Sequence, residues 1–470
     1  MVTIWAEQAL LAGGWARDVT ITLQGDRIAG ITTGTPETAD TPNTAGTPET
    51  RDTPPKVQRV GLLLPAPVNL HSHAFQRAMA GLTESRGPDP RDSFWTWRQL
   101  MYRFLEQLTP GDVQAIAAFV QMEMAEAGYA AVAEFHYLHH GQGGQPYDDL
   151  AEMSGRIAAA AAQTGLGLTL LPVLYQYGGC DRRALGPGQN RFGNDPDRFA
   201  RLLDAAELCL RGLPADTVLG VAPHSLRAVS PEGLRHAVSL RPGAPLHMHL
   251  AEQLAEVDEL RAHRGARPVE WLMANADVNE RWCLVHCTQM LPPETAALAA
   301  SGAVAGLCPI TESSLGDGIF DGVSYTSQAG VWGIGSDSNI RISLSEELRT
   351  LDHSQRLRDH SRAALATTGR STGRVLLETA AKGGAQAAGR DCGVIAVGKL
   401  ADLVALDTSG PDMAGRIGDL ALDTYVFAGH DGLVSDLWSA GRHIVRDSHH
   451  KDHDAITRRY MATIGKLRGL

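Results

Sequence analysis

Eight short apolar runs recur between residues 62 and 335, at 62–70, 130–137, 167–174, 218–223, 245–250, 283–286, 303–308 and 330–335. Most are separated by segments with helical periodicity, such as 110–128, 148–163, 195–210 and 292–301. Continuous apolar runs alternating with amphipathic helices are the pattern of parallel strands covered by crossover helices. Eight such units predict an α/β fold, a closed (β/α)8 barrel. At 470 residues the chain exceeds one ordinary core and has room for a satellite domain. Residues 1–33 alternate apolar and polar, strand-like sequence returns at 393–407, and a further strand pair follows at 434–445. The two termini are therefore expected to build one small β-sandwich, over residues 1–64 and 389–470 with a terminal helix, around a barrel at 65–388. Between 34 and 56, Thr-Pro recurs every six residues in sequence with little to bury, which reads as a mobile surface insertion.

Composition narrows the partners. A net charge of −11 without a basic stripe argues against nucleic acid, but leaves room for an anionic small substrate held by a local arginine cluster. No apolar run approaches the ~20 residues of a membrane span, and no basic-then-apolar export signal opens the chain. The six cysteines lack a C-x-x-C pair, so reduced thiols in a cytoplasmic protein are expected rather than a zinc finger.

The chemistry gathers at the ends of the runs. His71-Ser-His73 closes the first, and i,i+2 spacing on a strand aims two imidazoles at one point. His224 follows the fourth run, His249 the fifth, His286 the sixth and Asp337 the eighth. In a parallel barrel these ends converge on one mouth, where imidazoles and a carboxylate suit Zn²⁺ or Fe²⁺ with an open position. His247 is the rival on the fifth run but lies deeper. His136, His139 and His140 read as loop histidines. Glu252, three residues after His249, is placed to move a proton between water and a leaving nitrogen. His286 could polarise the electrophile instead of binding metal, and Asp337 could serve both as ligand and as acceptor from the attacking water.

This arrangement resembles the amidohydrolase superfamily over essentially the whole chain, including Gly398-Lys-Leu-Ala-Asp-Leu-Val404 on the return to the sandwich. The fourth run ends in Ala222-Pro-His224-Ser-Leu-Arg227, without the bridging lysine of binuclear members, which points to the mononuclear deaminases. Asn69-Leu-His71-Ser-His73-Ala-Phe-Gln76-Arg77, Phe94-Trp-Thr-Trp-Arg98-Gln-Leu-Met-Tyr102 and the Arg227 segment together resemble the formimidoylglutamate deiminase family. The resemblance implies hydrolysis of N-formimino-L-glutamate to N-formyl-L-glutamate and ammonia, in histidine degradation. It implies one zinc ion held by His71, His73, His249 and Asp337, with Glu252 and His286 as acid/base and electrostatic groups. Gln76, Arg98, Tyr137 and Arg227 match positions expected to bind the two substrate carboxylates, and His224 lies beside them as a substrate contact or an orienting group. Arg77 and Arg91 compete for the same role. A homodimer is also implied. The alternatives are a deaminase of a heteroaromatic ring, of guanine, cytosine, adenosine or triazine type, and a non-catalytic barrel scaffold.

Overall fold

Pro65 and Pro67 divide the first apolar run, because neither can donate to a strand ladder. The expected single strand is therefore two in the computed structural model, which describes residues 2–34, 57–82, 84 and 94–468. Before the break lie β1 (Val2–Leu11), β2 (Gly14–Gln24), β3 (Arg27–Thr33) and β4 (Val57–Pro65). After it come β5 (Val68–Ser72), β6 (Ala131–His136), β7 (Gly167–Leu174), the short β8 (Val218–Leu219) and β9 (Ala222–Pro223), β10 (Leu246–Leu250), β11 (Trp282–His286), β12 (Val304–Leu307) and β13 (Val331–Ile334). The fourth run is split at Gly220, where an added Cβ would lie 2.8 Å from the Pro245 carbonyl oxygen.

All pairings from β5 to β13 are parallel, in two arcs, β5-β6-β7-β8 with β9 beside β7, and β10-β11-β12-β13. Parallel bridges Val221–Leu246 and Ser225–His249 join the arcs on one side, and Ser72–Asp337 closes the barrel on the other. The helices Pro110–Glu126, Glu152–Thr164, Pro196–Leu210 and Pro292–Ala300 fall close to the expected segments. Thr109 and Asp195 cap two of them with side-chain oxygens, each just ahead of a proline at the first helical position.

The terminal strands form one eight-stranded sheet, in the order β17-β16-β15-β14-β4-β1-β2-β3, where β14 is Leu403–Leu406, β15 Val434–Ser439, β16 Arg442–Arg446 and β17 His449–His450. Of the expected strand at 393–407 only the last part is regular. Its earlier residues instead fasten the far edge of the sheet, with Ala12 and Ile28 donating to the carbonyls of Ile395 and Lys399 at 3.2 and 3.0 Å. The sheet has its own core, including Ile4, Ile21, Leu63, Leu403 and Trp438, while Leu62 and Leu64 turn to the main core. A buried ion network ties sheet to barrel. Arg390 reaches Asp402 and Asp216 at 3.0 Å each, and Asp216 also pairs with Arg442 at 2.7 Å. The Thr-Pro stretch, from residue 35 onward, lies outside the described residues.

His247 is on the inward face of β10, two residues deeper than His249, with Nε2 2.7 Å from the Ala387 carbonyl oxygen. Burial lowers its imidazole to about 4, against 6.5 in an open chain. Between those values the unfolded chain takes up a proton that the folded chain refuses, so stability falls as pH drops through this window. His247→Gln, which can keep a donor to Ala387, is expected to lose on the order of 2 kcal/mol less stability than the parent between pH 7 and pH 5. Urea unfolding at both pH values checks this, and equal losses would refute it.

Candidate metal centre and active site

The barrel's closing seam builds the centre. Asp337 N–H donates to the His71 carbonyl at 2.9 Å, and His73 N–H donates to the Asp337 carbonyl at 3.0 Å. Asp337 and Asn339 have φ of 45° and 54°, conformations that side-chain-bearing residues rarely adopt. Their surroundings hold them there. Asn339 Nδ2 donates to Ser72 Oγ and the His73 carbonyl, and its Oδ1 accepts from Ser336 Oγ, which in turn accepts from Asn69 Nδ2 at 2.7 Å. Left-handed backbone recurs at the neighbouring strand ends, at Ala251, His286 and Cys287.

One ligand atom each from His71, His73, His249 and Asp337 lies within 4.8 Å of all the others, and all four residues are buried. His71 Nε2 is 3.1 Å from His249 Nε2 and 3.2 Å from Asp337 Oδ1, and His73 Nε2 is 3.1 Å from the same oxygen. The outer nitrogens decide the tautomers. His73 Nδ1 faces the Phe135 carbonyl at 3.0 Å and His249 Nδ1 the His224 carbonyl at 3.2 Å. A carbonyl only accepts, so in a neutral ring both Nδ1 atoms carry the proton and both Nε2 atoms present lone pairs inward. Burial keeps the His71 and His249 rings neutral, lowering His71 to about 3 and His249 well below its ordinary value. Lone pairs and a carboxylate crowded onto one point form a donor set that fits a divalent cation.

Around this point stand the other expected residues. A single pocket is lined by His73, Gln76, Arg98, Tyr137, His224, Arg227, His249, Glu252, His286 and Asp337. Glu252 N–H donates to Glu256 Oε2 at 2.9 Å, which fixes the turn that presents its side chain. His286 Nδ1 meets Glu312 Oε1 at 3.3 Å. Burial opposes a charge on His286, but Glu252, the Glu312 contact and Asp337 outweigh it and push the imidazole up to about 10. On the opposite wall Gln76 Nε2 donates to the Tyr137 hydroxyl at 2.8 Å, and Arg98 Nη2 donates to the Tyr175 hydroxyl at 2.6 Å. Arg227 is 5% exposed. His224 stands between the two halves, its ring 4.9 Å from His249 and 4.5 Å from Tyr175. Burial, reinforced by Arg227 and Arg98, holds it neutral.

Several expectations separate here. Arg77 turns away and makes a two-pronged pair with Glu123 at 2.6 and 2.7 Å, and Arg91 lies outside the described residues. His136 is the last residue of β6 rather than part of a loop, His139 and His140 lie in the loop after it, and all three are buried. His139 Nε2 meets the Val173 carbonyl and His140 Nε2 the Gly193 carbonyl, both at 2.9 Å. The sequence reading missed Glu312, Tyr175 and Gln189, which donates to the Tyr175 hydroxyl at 2.9 Å. Glu312 had a signal, a carboxylate just past the end of the seventh run. Tyr175 had the same kind of signal, directly after the third run, whereas Gln189 had none.

Comparison with known proteins agrees with this geometry. Residues 62–444 match the Amidohydrolase family, and residues 1–43 match the description "Formimidoylglutamate deiminase HutF, N-terminal domain". An amidohydrolase of Brucella melitensis, known from a crystal structure, is similar with a TM-score of 0.92 and 45% identity, over 100% of both chains. An adenosine deaminase of Xanthomonas campestris with bound zinc shares the fold, with a TM-score of 0.80 and 20% identity over 100% of this chain and 99% of that one. The chain is thus an amidohydrolase-family hydrolase. A formimidoylglutamate deiminase of Pseudomonas aeruginosa is 45% identical over 470 residues, which are 99% of this chain and 100% of the relative. Within the amidohydrolases, the chain belongs to the formimidoylglutamate deiminase family.

Removing one donor should weaken metal binding, because a water that replaces an imidazole is a poorer ligand than the imidazole. His249→Ala protein is expected to contain far less tightly held metal than the parent when both are assayed by plasma mass spectrometry after dialysis. Equal metal content would take His249 out of the centre.

Proposed function

We propose that the chain hydrolyses N-formimino-L-glutamate to N-formyl-L-glutamate and ammonia, a step of histidine degradation. One divalent cation, Zn²⁺ with Fe²⁺ as the alternative, would be held by His71, His73, His249 and Asp337. The observation that carries this reading is a pocket with two buried guanidinium groups, Arg98 and Arg227, facing a donor set for a cation and the carboxylate of Glu252. Guanidinium forks match carboxylates, and a glutamate-derived substrate offers two of them. An uncharged heteroaromatic ring offers no carboxylate for either guanidinium fork to grip. When bound, the cation acidifies water toward neutrality and polarises the carbon–nitrogen double bond.

The side chains do the rest. Arg98, Arg227, Gln76 and Tyr137 hold the two carboxylates, so that the formimino carbon sits near Glu252. Glu252 takes a proton from the attacking water as the new carbon–oxygen bond forms and passes it to the imine nitrogen; it then takes the remaining proton from the new hydroxyl and delivers it to the same nitrogen as the carbonyl forms, the carbon–nitrogen bond breaks and ammonia leaves. His286, kept protonated by its acidic neighbours, donates to the negative charge that develops at the reacting carbon's substituents. Glu312 holds the His286 ring in place through Nδ1. Asp337 accepts from the attacking water, and neutral His224 borders the substrate without adding charge. The proposed protein is a cytoplasmic homodimer. No helix among the described residues is long and apolar enough to cross a membrane.

Ammonia release from N-formimino-L-glutamate, and none from guanine, cytosine, adenosine or triazines, is the expected substrate profile; the reverse profile would overturn the proposal. Glu252→Gln is expected to keep its metal and lose about 10²–10⁴-fold in turnover. Near-parental turnover would remove Glu252 from proton transfer. Arg227→Ala is expected to raise KM far more than it lowers kcat, and an unchanged KM in steady-state assays would place the carboxylates elsewhere.

A further inference from the structure

A second group of ligand-type side chains lies away from the barrel mouth, where the end of the helix Pro110–Glu126, strand β17 and the start of the C-terminal helix His453–Arg468 come together. One ligand atom each from Glu126, His449 and His453 lies within 4.8 Å of the other two. The His449 and His453 rings are 5.4 Å apart at their centroids, and His453 Nδ1 is 2.7 Å from Glu126 Oε1. His449 is exposed, whereas Glu126 and His453 are half-buried, so the cluster is open to ions from solution.

Strand geometry explains why His449 is available and His450 is not. Adjacent residues on a strand point to opposite faces. His450 turns inward, where its Nε2 meets the Thr164 carbonyl at 2.7 Å and its Nδ1 accepts from Asp452 N–H at 3.1 Å. Its backbone N–H donates to Glu126 Oε1 at 2.8 Å, which seats the carboxylate beneath the two outer imidazoles. Glu126 is also the last residue of a 17-residue helix, where the unpaired carbonyl ends concentrate negative partial charge. The C-terminal helix is already fixed along the same helix by Phe119 stacked on Tyr460 and by Lys466 paired with Asp112 at 2.8 Å, so the ligands from the two elements are held in place before any ion arrives.

We propose that Glu126, His449 and His453 form a second metal site, distinct from the barrel centre, which takes a divalent transition cation and fastens the C-terminal helix to the barrel. Two imidazoles and one carboxylate select Zn²⁺, Ni²⁺ or Cu²⁺ over Mg²⁺ or Ca²⁺, which prefer all-oxygen shells. Binding needs the ligating nitrogens free of protons, so metal affinity falls as pH falls. Three ligands, one of them exposed, make an exchangeable site that water completes.

The test uses tag-free full-length protein, equilibrium dialysis against Zn²⁺, and plasma mass spectrometry of bound metal. The parent is expected to bind one equivalent more than the His449→Ala/His453→Ala variant at pH 7.5, and to lose that extra equivalent at pH 5.5. The readout is a difference between two proteins with the same barrel centre, so it does not depend on how full that centre is. Zn²⁺ should also raise the parent's Tm by a few degrees more than the variant's. Equal stoichiometry in parent and variant would overturn the proposal, as would a Zn²⁺-dependent rise in Tm as large in the variant as in the parent. Ca²⁺ binding with the same stoichiometry as Zn²⁺ would overturn the assignment to imidazole-preferring cations.

Discussion

The hydrogen bonds between the first and last barrel strands, Asp337 N–H to the His71 carbonyl and His73 N–H to the Asp337 carbonyl, are the constraint on which the site depends. They close the barrel, and the same residues carry the inward-facing donors. A register slip of one residue at this seam would turn His71 and His73 out of the mouth together. The Asn69–Ser336–Asn339–Ser72 network keeps the seam in register, and it holds Asp337 and Asn339 in a left-handed conformation that they would not keep alone.

From that seam the electrostatics follow. Burial strips water from His71 and His249 and keeps them neutral, while backbone carbonyls from Phe135 and His224 take the outer protons of His73 and His249. The inward lone pairs of His73 and His249 therefore stand beside His71 Nε2 and the Asp337 carboxylate, an arrangement that suits a cation. The opposite sign of shift appears one strand further on. His286 is equally buried, yet three nearby carboxylates push it up rather than down. Equal burial with opposite charge neighbours separates a ligand-type histidine from a donor-type one.

The eight-stranded sheet stays away from this chemistry. It grips the barrel through Arg390, Asp402, Asp216 and Arg442, and Asp216 stands just ahead of β8, at the strand-start end. The mouth at the other end of the strands is left to loops. A buried network of this kind costs desolvation and contributes little net stability, but it has one geometry and so specifies how the two bodies dock.

Spacing alone made His71, His73, His249 and Asp337 legible, because strand alternation and run ends are local properties, and the arginines were legible as counter-charges in an acidic chain. Less was legible where long-range partners decide. Pro65 and Pro67 stand inside a run expected to be one strand, and only pairing with β1 and β14 shows that β4 belongs to the sheet and β5 to the barrel. Arg77 and Arg98 look alike in sequence, yet Glu123 takes one and Tyr175 faces the other into the pocket. Glu312, Tyr175 and Gln189 act through residues far from them in the chain. The sequence by itself determined the repeating strand-and-helix pattern, the ligand types and their order along the chain, since these follow from covalent spacing and hydrophobic periodicity. Only the tertiary structure decided which nitrogen of each imidazole faces inward, which arginine reaches the pocket and which histidine is charged. Those outcomes depend on burial and on through-space neighbours, which covalent spacing does not encode.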